Sequence, residues 1–169
     1  VIQSIPCPLI LSCSKKRNMK KVAIITGASS GMGKSAAGFL HEKGYTVYGL
    51  ARRVSEMHDL EAQGMKVLGM DITDEHSIET TVDTILKNEG RIDVLINNAG
   101  YGSYGAVEDI SIAEAKHQFE VNLFGMARIT QLVLPTMRKQ QSGRIVNISS
   151  MGGKIYTPFG AWYHATKHA

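Results

Sequence analysis

The sequence predicts an α/β domain built on a doubly wound parallel sheet, and three observations support this. Short apolar runs alternate with longer amphipathic stretches from residue 20 to the last residue. A glycine-rich turn connects the first apolar run to the first amphipathic stretch. The chain has 169 residues, of which 43% are hydrophobic and 20% charged, so it can bury one core without metals or disulfides. Such alternation is typical of βα units, whose strands pair in parallel.

Five apolar runs are short enough to be buried strands. They are residues 22–26, 46–50, 66–70, 93–96 and 144–148. The amphipathic stretch after the first run predicts a helix over about residues 32–43, ended by Gly44.

Two longer helices are predicted between the third and the fifth strand. Thr73 is the expected N-cap of the first, which ends at Gly90. Ser111 and Glu114 have capping-box spacing at the start of the second. Pro135 lies inside the second helix, where a proline removes a backbone hydrogen bond. We therefore expect Pro135 to kink or end that helix.

The positive charge of the chain is concentrated near its first residue. The formal net charge is +4, but Lys15, Lys16 and Arg17 all precede Met19. Without those three, 16 basic and 15 acidic residues remain over residues 19–169. A nearly neutral body argues against nucleic-acid binding, and no window approaches the ~20 apolar residues of a membrane span. We expect neither a nucleic-acid nor a membrane partner.

Residues 1–18 are predicted to be a leader outside the fold, with Met19 as the natural start. The apolar run of the leader precedes its basic cluster, the reverse of the order in a secretory signal. A short targeting segment is the alternative. Cys7 and Cys13 both lie in the leader, so residues 19–169 contain no thiol. This fits a reducing compartment, and we expect a cytoplasmic location.

The turn after the first strand has the composition of a phosphate-binding loop. Residues 26–33 are TGASSGMG. Glycines let the backbone approach a pyrophosphate, and the free N–H groups of a helix end favour its negative charge. The G-x-x-x-G-x-G spacing departs from the G-x-G-x-x-G fingerprint, so a purely structural turn is the alternative. The candidate cofactor-binding residues here are Gly27, Ser29, Ser30, Gly31, Met32 and Gly33.

The end of the second strand favours NADP over NAD. An acidic residue there usually binds the ribose 2′-hydroxyl of NAD, whereas an arginine accommodates the 2′-phosphate of NADP. This chain has Arg52 and Arg53 and no carboxylate at that position. A charge-assisted hydrogen bond contributes ~1.5–3 kcal/mol, which is enough to favour one cofactor. The alternative is an exposed arginine pair on a loop.

Tyr163 and Lys167 are four residues apart, which places them on one face of a helix. A positive charge beside a phenol favours the phenolate, which makes the hydroxyl a better proton donor and acceptor near neutral pH. Ser150 ends the fifth strand, and residues 97–100 (NNAG) follow the fourth, where α/β sheets place ligands. Ordinary surface hydroxyls and an Asn/Gly turn are the alternatives.

Together these motifs resemble the short-chain dehydrogenase/reductase family. The matching positions, in family order, are TGASSGMG at 26–33, Asp71, NNAG at 97–100, Asn122, Ser150 and YHATK at 163–167. The resemblance implies a Rossmann-like fold and an NAD(P)-dependent oxidoreductase that interconverts a carbonyl and a secondary alcohol by hydride transfer, with NADP expected from Arg52 and Arg53. It also implies a small-molecule substrate and a homo-oligomer.

The resemblance further implies which residues perform the chemistry. In the direction of reduction, Tyr163 would protonate the carbonyl oxygen, and Ser150 would hydrogen-bond to that oxygen. Lys167 would favour the phenolate and hold the nicotinamide ribose. Asn122 would help position a water in the proton relay; the alternative for Asn122 is a buried amide that satisfies backbone groups. His164 lies between Tyr163 and Lys167 without a role in the family motif and is predicted to be a spectator on an exposed helix, like His168.

The adenosine end of the cofactor is assigned by the same resemblance. Asp71 and Ile72 would contact the adenine, and Asn98, Ala99 and Gly100 the adjoining ribose. A cap or turn role is the alternative for Asp71. No His/Cys cluster has metal-ligand spacing, so no metal is expected.

The chain departs from the family pattern at its end. It stops two residues after Lys167, and five strands can be assigned where the dinucleotide fold usually has six. We therefore expect residues 19–169 to be an NADP-binding domain that lacks its C-terminal strands. The alternative function is that of a non-catalytic cofactor-binding fragment without a substrate-binding part.

Overall fold

The computed structural model of this protein describes residues 20–169. The predicted leader, residues 1–18, and Met19 lie outside the described residues. Within the described range, five parallel strands form one sheet in the order β3-β2-β1-β4-β5. They are β1 (Val22–Thr26), β2 (Thr46–Ala51), β3 (Lys66–Gly69), β4 (Val94–Asn97) and β5 (Arg144–Asn147). The predicted parallel α/β sheet is thereby confirmed.

Six α-helices connect and cover the strands. They are α1 (Gly31–Glu42), α2 (His58–Ala62), α3 (Glu75–Glu89), α4 (Ile112–Phe119), α5 (Gly125–Gln140) and α6 (Ala161–His168). Short 3₁₀ turns occupy Val54–Met57 and Met151–Gly153, and a π turn, Glu120–Phe124, joins α4 to α5. The 3₁₀ turn before α2, and α2 itself, are too short to give a periodic signal and are absent from the sequence prediction.

β1 lies at the centre of the sheet, and all five of its residues are buried. Ile24 packs with Ile85 of α3 and Ile129 of α5 in the cluster on one face. Ile25 belongs to the cluster on the other face, with Ala37 of α1. Because successive side chains of a strand point to opposite faces, a strand covered on both sides requires an unbroken apolar run.

The start of α3 differs from the prediction. Its N-cap is Asp74, whose carboxylate accepts a hydrogen bond from the His76 N–H at 3.0 Å. Thr73, the predicted cap, instead donates its hydroxyl to Asp71 Oδ1 at 2.8 Å. The prediction was wrong because Asp71 offers Thr73 a charged acceptor, which leaves the cap to the next residue.

The long helical stretch is interrupted at a different place from the one predicted. α5 continues through Pro135 to Gln140, and the irregularity is the π turn Glu120–Phe124. Pro135 leaves the carbonyl of Gln131 without its helical partner, but both residues are exposed, so water can hydrate that carbonyl. The predicted N-cap of α4 is observed, since Ser111 Oγ accepts from the Glu114 N–H at 3.1 Å.

The parallel sheet brings the sequence motifs together. All five strands end at the same edge, and the loops after them carry residues 27–33, Arg52, Asp71, residues 97–100 and Ser150. Ligands of open α/β sheets bind at this edge, in the crevice where the strand order reverses. In this chain the reversal lies between β1 and β4.

Candidate functional site

The glycine turn has a backbone conformation that favours glycine. Gly27 and Gly31 have φ angles of +68° and +54°, in the left-handed region. A Cβ on Gly33 would lie 2.4 Å from the carbonyl oxygen of Gly27 and 2.4 Å from Asn98 Nδ2. A Cβ on Gly31 would meet nothing within 4 Å. The turn is therefore packed tightly on its sheet side and open at the start of α1.

Two side chains, Thr26 at the end of β1 and Asn98 just after β4, hold this turn against the loop after β4. The Thr26 hydroxyl oxygen accepts from the N–H groups of Asn98 and Ala99, both at 3.0 Å. In return, Asn98 Nδ2 donates to the carbonyl oxygens of Thr26 at 3.0 Å and Gly27 at 3.2 Å. Asn98 thus fixes the glycine turn in addition to lining the cleft.

A cleft of about 490 Å³ opens at this edge of the sheet. It is lined by most of the residues expected to bind the cofactor, namely Gly27, Ser29, Ser30, Met32, Arg52, Arg53, Asp71, Ile72, Asn98, Ala99 and Gly100. Gly31 and Gly33 belong to the same turn but do not line the cleft. The structure therefore brings the segments of the predicted cofactor site together around one cavity.

The two arginines after β2 are held differently. Arg53 forms a salt bridge with Glu56 at 3.0 Å, whereas no salt bridge engages Arg52 within residues 20–169. Both arginines are exposed. The positive charge of Arg52 helps to lower the pKa of Asp71 and opposes the rise in the pKa of Tyr101. The charge therefore acts on groups inside the cleft.

Asp71 forms the turn after β3. Burial alone would raise its pKa, but hydrogen bonds from the Thr73 N–H at 2.9 Å and the Thr73 hydroxyl lower the pKa below its ordinary value. Arg52 and His117 lower it further through their charges. Asp71 is therefore both a turn residue, the alternative expected from the sequence, and a wall of the cleft.

The ring of Tyr163 lies between two glycines. A Cβ on Gly102 would lie 2.9 Å from Tyr163 Cδ2, and a Cβ on Gly152 would lie 3.0 Å from Tyr163 Cε1. These atoms belong to opposite edges of the ring, so the two glycines form a slot for it. The ring of Tyr104 packs beside Tyr163 with 5.5 Å between centroids.

Lys167 and Asn122 lie next to Gly100, which lines the cleft. A Cβ on Gly100 would lie 3.5 Å from Lys167 Nζ and 3.0 Å from Asn122 Oδ1. Lys167 Nζ donates to the carbonyl of Ile148 at 3.2 Å and lies 6.0 Å from the centroid of the Tyr163 ring. Gly100 thus joins the cleft to the predicted catalytic residues.

Asn122 lies in the π turn, and its amide is fully engaged. Its Oδ1 accepts from the Tyr101 N–H at 3.0 Å, and its Nδ2 donates to the Tyr101 carbonyl at 2.8 Å and to Thr166 Oγ1 at 2.9 Å. The side chain therefore ties the loop after β4 to α6. This is the alternative that the sequence left open for Asn122, a buried amide that satisfies backbone groups.

Ser150 caps the 3₁₀ turn that follows β5. Its Oγ accepts from the Gly152 N–H at 3.1 Å. Gly152 is also one side of the slot that holds the Tyr163 ring. Ser150 and Tyr163 are therefore positioned by the same glycine.

The whole described fold matches one family. Residues 21–169 match the family model described as short chain dehydrogenase. The chain belongs to the short-chain dehydrogenase family.

Relatives of this short-chain dehydrogenase include enzymes with named substrates. A 3-ketodihydrosphingosine reductase of Bacteroides thetaiotaomicron is 42% identical over 149 residues, covering 88% of this chain and 54% of the relative. A short-chain dehydrogenase of Streptomyces avermitilis of known structure is 41% identical with a TM-score of 0.86, covering 89% of this chain and 56% of the other. An actinorhodin polyketide ketoreductase solved with NADPH is 34% identical with a TM-score of 0.83, covering 88% and 60%. The chain spans about half the length of the curated relatives it matches.

Sequence reasoning missed the side of the cleft formed by α4 and the π turn, where Glu114, His117 and Val121 line it. Thr26, which begins the glycine motif, and Tyr101, which follows residues 97–100, also line the cleft. The Tyr101 hydroxyl donates to Glu114 Oε1 at 3.1 Å, and the Tyr101 ring packs against the ring of His117. Burial and the Glu114 carboxylate raise the pKa of Tyr101 to about 12. α4 follows a loop of more than ten residues, so no sequence spacing could bring it to the strand ends.

The predicted exposure of His164 is wrong. Only 7% of the residue is exposed, because α6 turns it toward the 3₁₀ turn after Ser150. A Cβ on Gly160 would lie 2.4 Å from His164 Nε2, so the loop needs a glycine at that position to pass the ring. Nothing in a single sequence marks a histidine beside the family's Tyr as buried.

Two kinds of site were not found in the part of the chain that the structure describes. No three His, Cys, Asp or Glu side chains of residues 20–169 cluster as metal ligands. Among the helices of the same residues, none combines the length and the apolar character needed to cross a bilayer.

Proposed function

We propose that the protein carrying this chain is an NADP-dependent oxidoreductase that interconverts a carbonyl and a secondary alcohol. The observation that carries the proposal is the convergence of Asn122, Ser150, Tyr163 and Lys167 beside the cleft, linked to it through Gly100. A site that only bound a nucleotide would have no need of this set of proton-transferring groups.

The cleft fits a dinucleotide. The open, positive-φ turn at Gly31 leaves room for phosphate at the start of α1, where unpaired N–H groups favour negative charge. Arg52, at the far side of the cleft, offers a guanidinium to a 2′-phosphate. The related ketoreductase solved with NADPH supports the same cofactor. Bound there, NADPH would supply the hydride.

The protein's own groups would handle the proton and the developing charge. Gly152 N–H already occupies the Ser150 oxygen as a donor, so the Ser150 hydroxyl proton is available for the substrate carbonyl oxygen. Tyr163 would give its proton to that oxygen. The nearby Lys167 ammonium would stabilise the phenolate left behind. Asn122 would act through the geometry it imposes on α6 and on the loop after β4.

The experiment is a steady-state assay of NADPH oxidation with a panel of ketones and aldehydes, 3-ketodihydrosphingosine included. It uses the 169-residue chain and the longest form of the protein that can be expressed. Tyr163→Phe should lower kcat by about 10²–10⁴-fold. Tyr45→Phe, which removes a hydroxyl at the opposite end of β2, is the matched control. If neither form turns over any carbonyl but both bind NADPH, a non-catalytic cofactor-binding protein is the better description.

Location and assembly complete the proposal. A cytoplasmic location is supported by the lack of cysteine in residues 19–169. A homo-oligomer is the assembly that the family resemblance implies, and sedimentation equilibrium of the expressed protein tests it.

A further inference from the structure

His164 makes hydrogen bonds through both nitrogens of its ring. Nδ1 lies 3.1 Å from the carbonyl oxygen of Gly152. Nε2 lies 3.0 Å from the backbone nitrogen of Thr157 and 3.0 Å from its hydroxyl. The side chain therefore contacts the segment between Ser150 and α6 at two points.

The partners of His164 determine which nitrogen carries the proton. The Thr157 N–H can only donate, so Nε2 must be the unprotonated acceptor. In the neutral ring Nδ1 then carries the hydrogen and donates it to the Gly152 carbonyl. The geometry thus requires the Nδ1–H tautomer.

The backbone of Gly152 connects His164 to Ser150. Its carbonyl accepts from His164, and its N–H donates to Ser150 Oγ at 3.1 Å. Gly152 is buried, whereas Met151 and residues 154–159 on either side are exposed. The buried side chain of His164 anchors this exposed segment at two residues, Gly152 and Thr157.

We propose that His164 is a positioning residue that orients the Ser150 hydroxyl through the backbone of Gly152, whose carbonyl and N–H lie in two successive peptide groups joined at its Cα. With its carbonyl held by His164, Gly152 directs its N–H at a lone pair of Ser150 Oγ. The Ser150 hydroxyl proton is then the group left to meet a substrate oxygen. Gly152 also forms one side of the Tyr163 slot, so the anchor helps to fix the separation of Ser150 and Tyr163.

This inference rests on the proposed function, and two substitutions separate the two anchors. In His164→Asn, the amide nitrogen can take the place of Nδ1 and donate to Gly152, but it cannot reach Thr157. In His164→Gln, the amide oxygen can take the place of Nε2 and accept from Thr157, but the side chain cannot donate to the carbonyl of Gly152. His164→Asn keeps the buried hydrogen bond to Gly152 and His164→Gln keeps the partly buried contacts at Thr157, so each variant loses one of the two anchors and both should unfold at a lower urea concentration than the wild type.

The test compares kcat and KM for NADPH in His164→Ala, His164→Asn and His164→Gln, with urea unfolding of each. His164→Ala should lower kcat by about 10–100-fold, the effect of misplacing a catalytic group by a fraction of an ångström to 1 Å. His164→Asn should restore most of this loss, and His164→Gln should not. KM for NADPH should stay within about 3-fold of the wild type in all three, because the anchor lies outside the cofactor cleft.

Two results would overturn the inference. One is a kcat in His164→Asn as low as in His164→Ala, and the other is a kcat in His164→Gln equal to the wild type. If the wild type does not oxidise NADPH with any carbonyl, it is the proposed function that fails. The anchor is then tested by long-range ¹H–¹⁵N spectra of the imidazole in the wild-type protein, where a hydrogen on Nδ1 supports it and a hydrogen on Nε2 overturns it.

Discussion

Arg52 is the residue whose replacement most directly tests the choice of cofactor. It lines the cleft beyond the end of β2, and no salt bridge engages it within residues 20–169. Its charge acts on Asp71 and on Tyr101, which face the same cavity. In Arg52→Ala this charge is removed without a change in the glycine turn, so the pyrophosphate contacts should remain.

The size of the effect follows from the exposure of the side chain. A charge-assisted hydrogen bond contributes ~1.5–3 kcal/mol, and solvent around an exposed guanidinium places Arg52 at the lower end. A loss of ~1.5 kcal/mol corresponds to a Kd for NADPH about 10-fold higher. NADH has no 2′-phosphate, so its Kd should change by less than about 2-fold.

Binding is measured by fluorescence titration of NADPH and NADH with the wild type, Arg52→Ala and Arg53→Ala. Arg53→Ala should weaken NADPH less than Arg52→Ala, because the Arg53 guanidinium also faces Glu56. Arg138→Ala, an exposed change on α5 outside the cleft, controls for the loss of one positive charge. The effect of Arg52→Ala should shrink in 1 M salt, where the Debye length is only about 3 Å.

Two outcomes would refute this reasoning. Equal weakening of NADPH and NADH by Arg52→Ala would mean that the side chain supports the cleft rather than the 2′-phosphate. A larger loss in Arg53→Ala than in Arg52→Ala would transfer the phosphate contact to Arg53.

Three further predictions concern stability. Gly33→Ala should lower the free energy of unfolding, measured in urea, by about 1–3 kcal/mol, because its Cβ would lie 2.4 Å from a backbone oxygen. Gly38→Ala, whose Cβ would meet nothing within 4 Å, should instead raise the free energy of unfolding by about 0.5–1 kcal/mol. Equal effects of the two substitutions would contradict the packing argument. Burial opposes ionisation of Asp93, but its ion pair and the Val22 N–H lower its pKa, so its stabilisation is complete above the unfolded value of about 3.9 and is lost as pH falls toward the folded pKa. Urea unfolding between pH 3 and 7 should therefore show a smaller loss of stability on acidification in Asp93→Asn than in the wild type, and unchanged pH dependence would count against the assignment. Asn122→Ala should lower the free energy of unfolding by about 1–3 kcal/mol in a thermal melt, because the N–H and the carbonyl of Tyr101 both lose their partner. An unchanged melting temperature would show that water replaces the amide.

The sheet and most of the residues that line the cleft at its edge were predictable from the sequence, because their signals are local. A buried strand such as residues 22–26 and a glycine turn can each be recognised from a few consecutive residues. Once strands are known to be parallel, their carboxyl ends must share an edge, and this brings Arg52 and Asp71 to the same cavity. The cap at Thr73 failed for a local reason too, since a neighbouring carboxylate competed for its hydroxyl.

What could not be predicted depends on contacts between distant segments. His164 is buried because α6 packs its side against the turn after Ser150, and no periodicity encodes that choice. Glu114 and His117 reach the cleft only through the path of a long loop. For Asn122 the sequence left two roles open, an amide that positions a water and a buried amide that satisfies backbone groups; its partners, the backbone of Tyr101 and the hydroxyl of Thr166, follow only from the fold.

The π turn between α4 and α5 has a consequence for insertions and deletions in this chain. A π turn holds one more residue than an α-helical turn, and each residue of a regular helix advances the chain by about 100°. The five residues of a π turn rotate the chain about as far as four residues of an α-helix, so deleting one residue within Glu120–Phe124 would let the helix regularise with α4 and α5 in nearly the same phase. The same deletion in the regular part of α4 or α5 would rotate one helix by about 100° relative to the other and turn the face that carries Glu114 and His117 away from the cleft. The π turn is therefore the place between α4 and α5 where one residue can be lost while the wall of the cavity keeps its side chains.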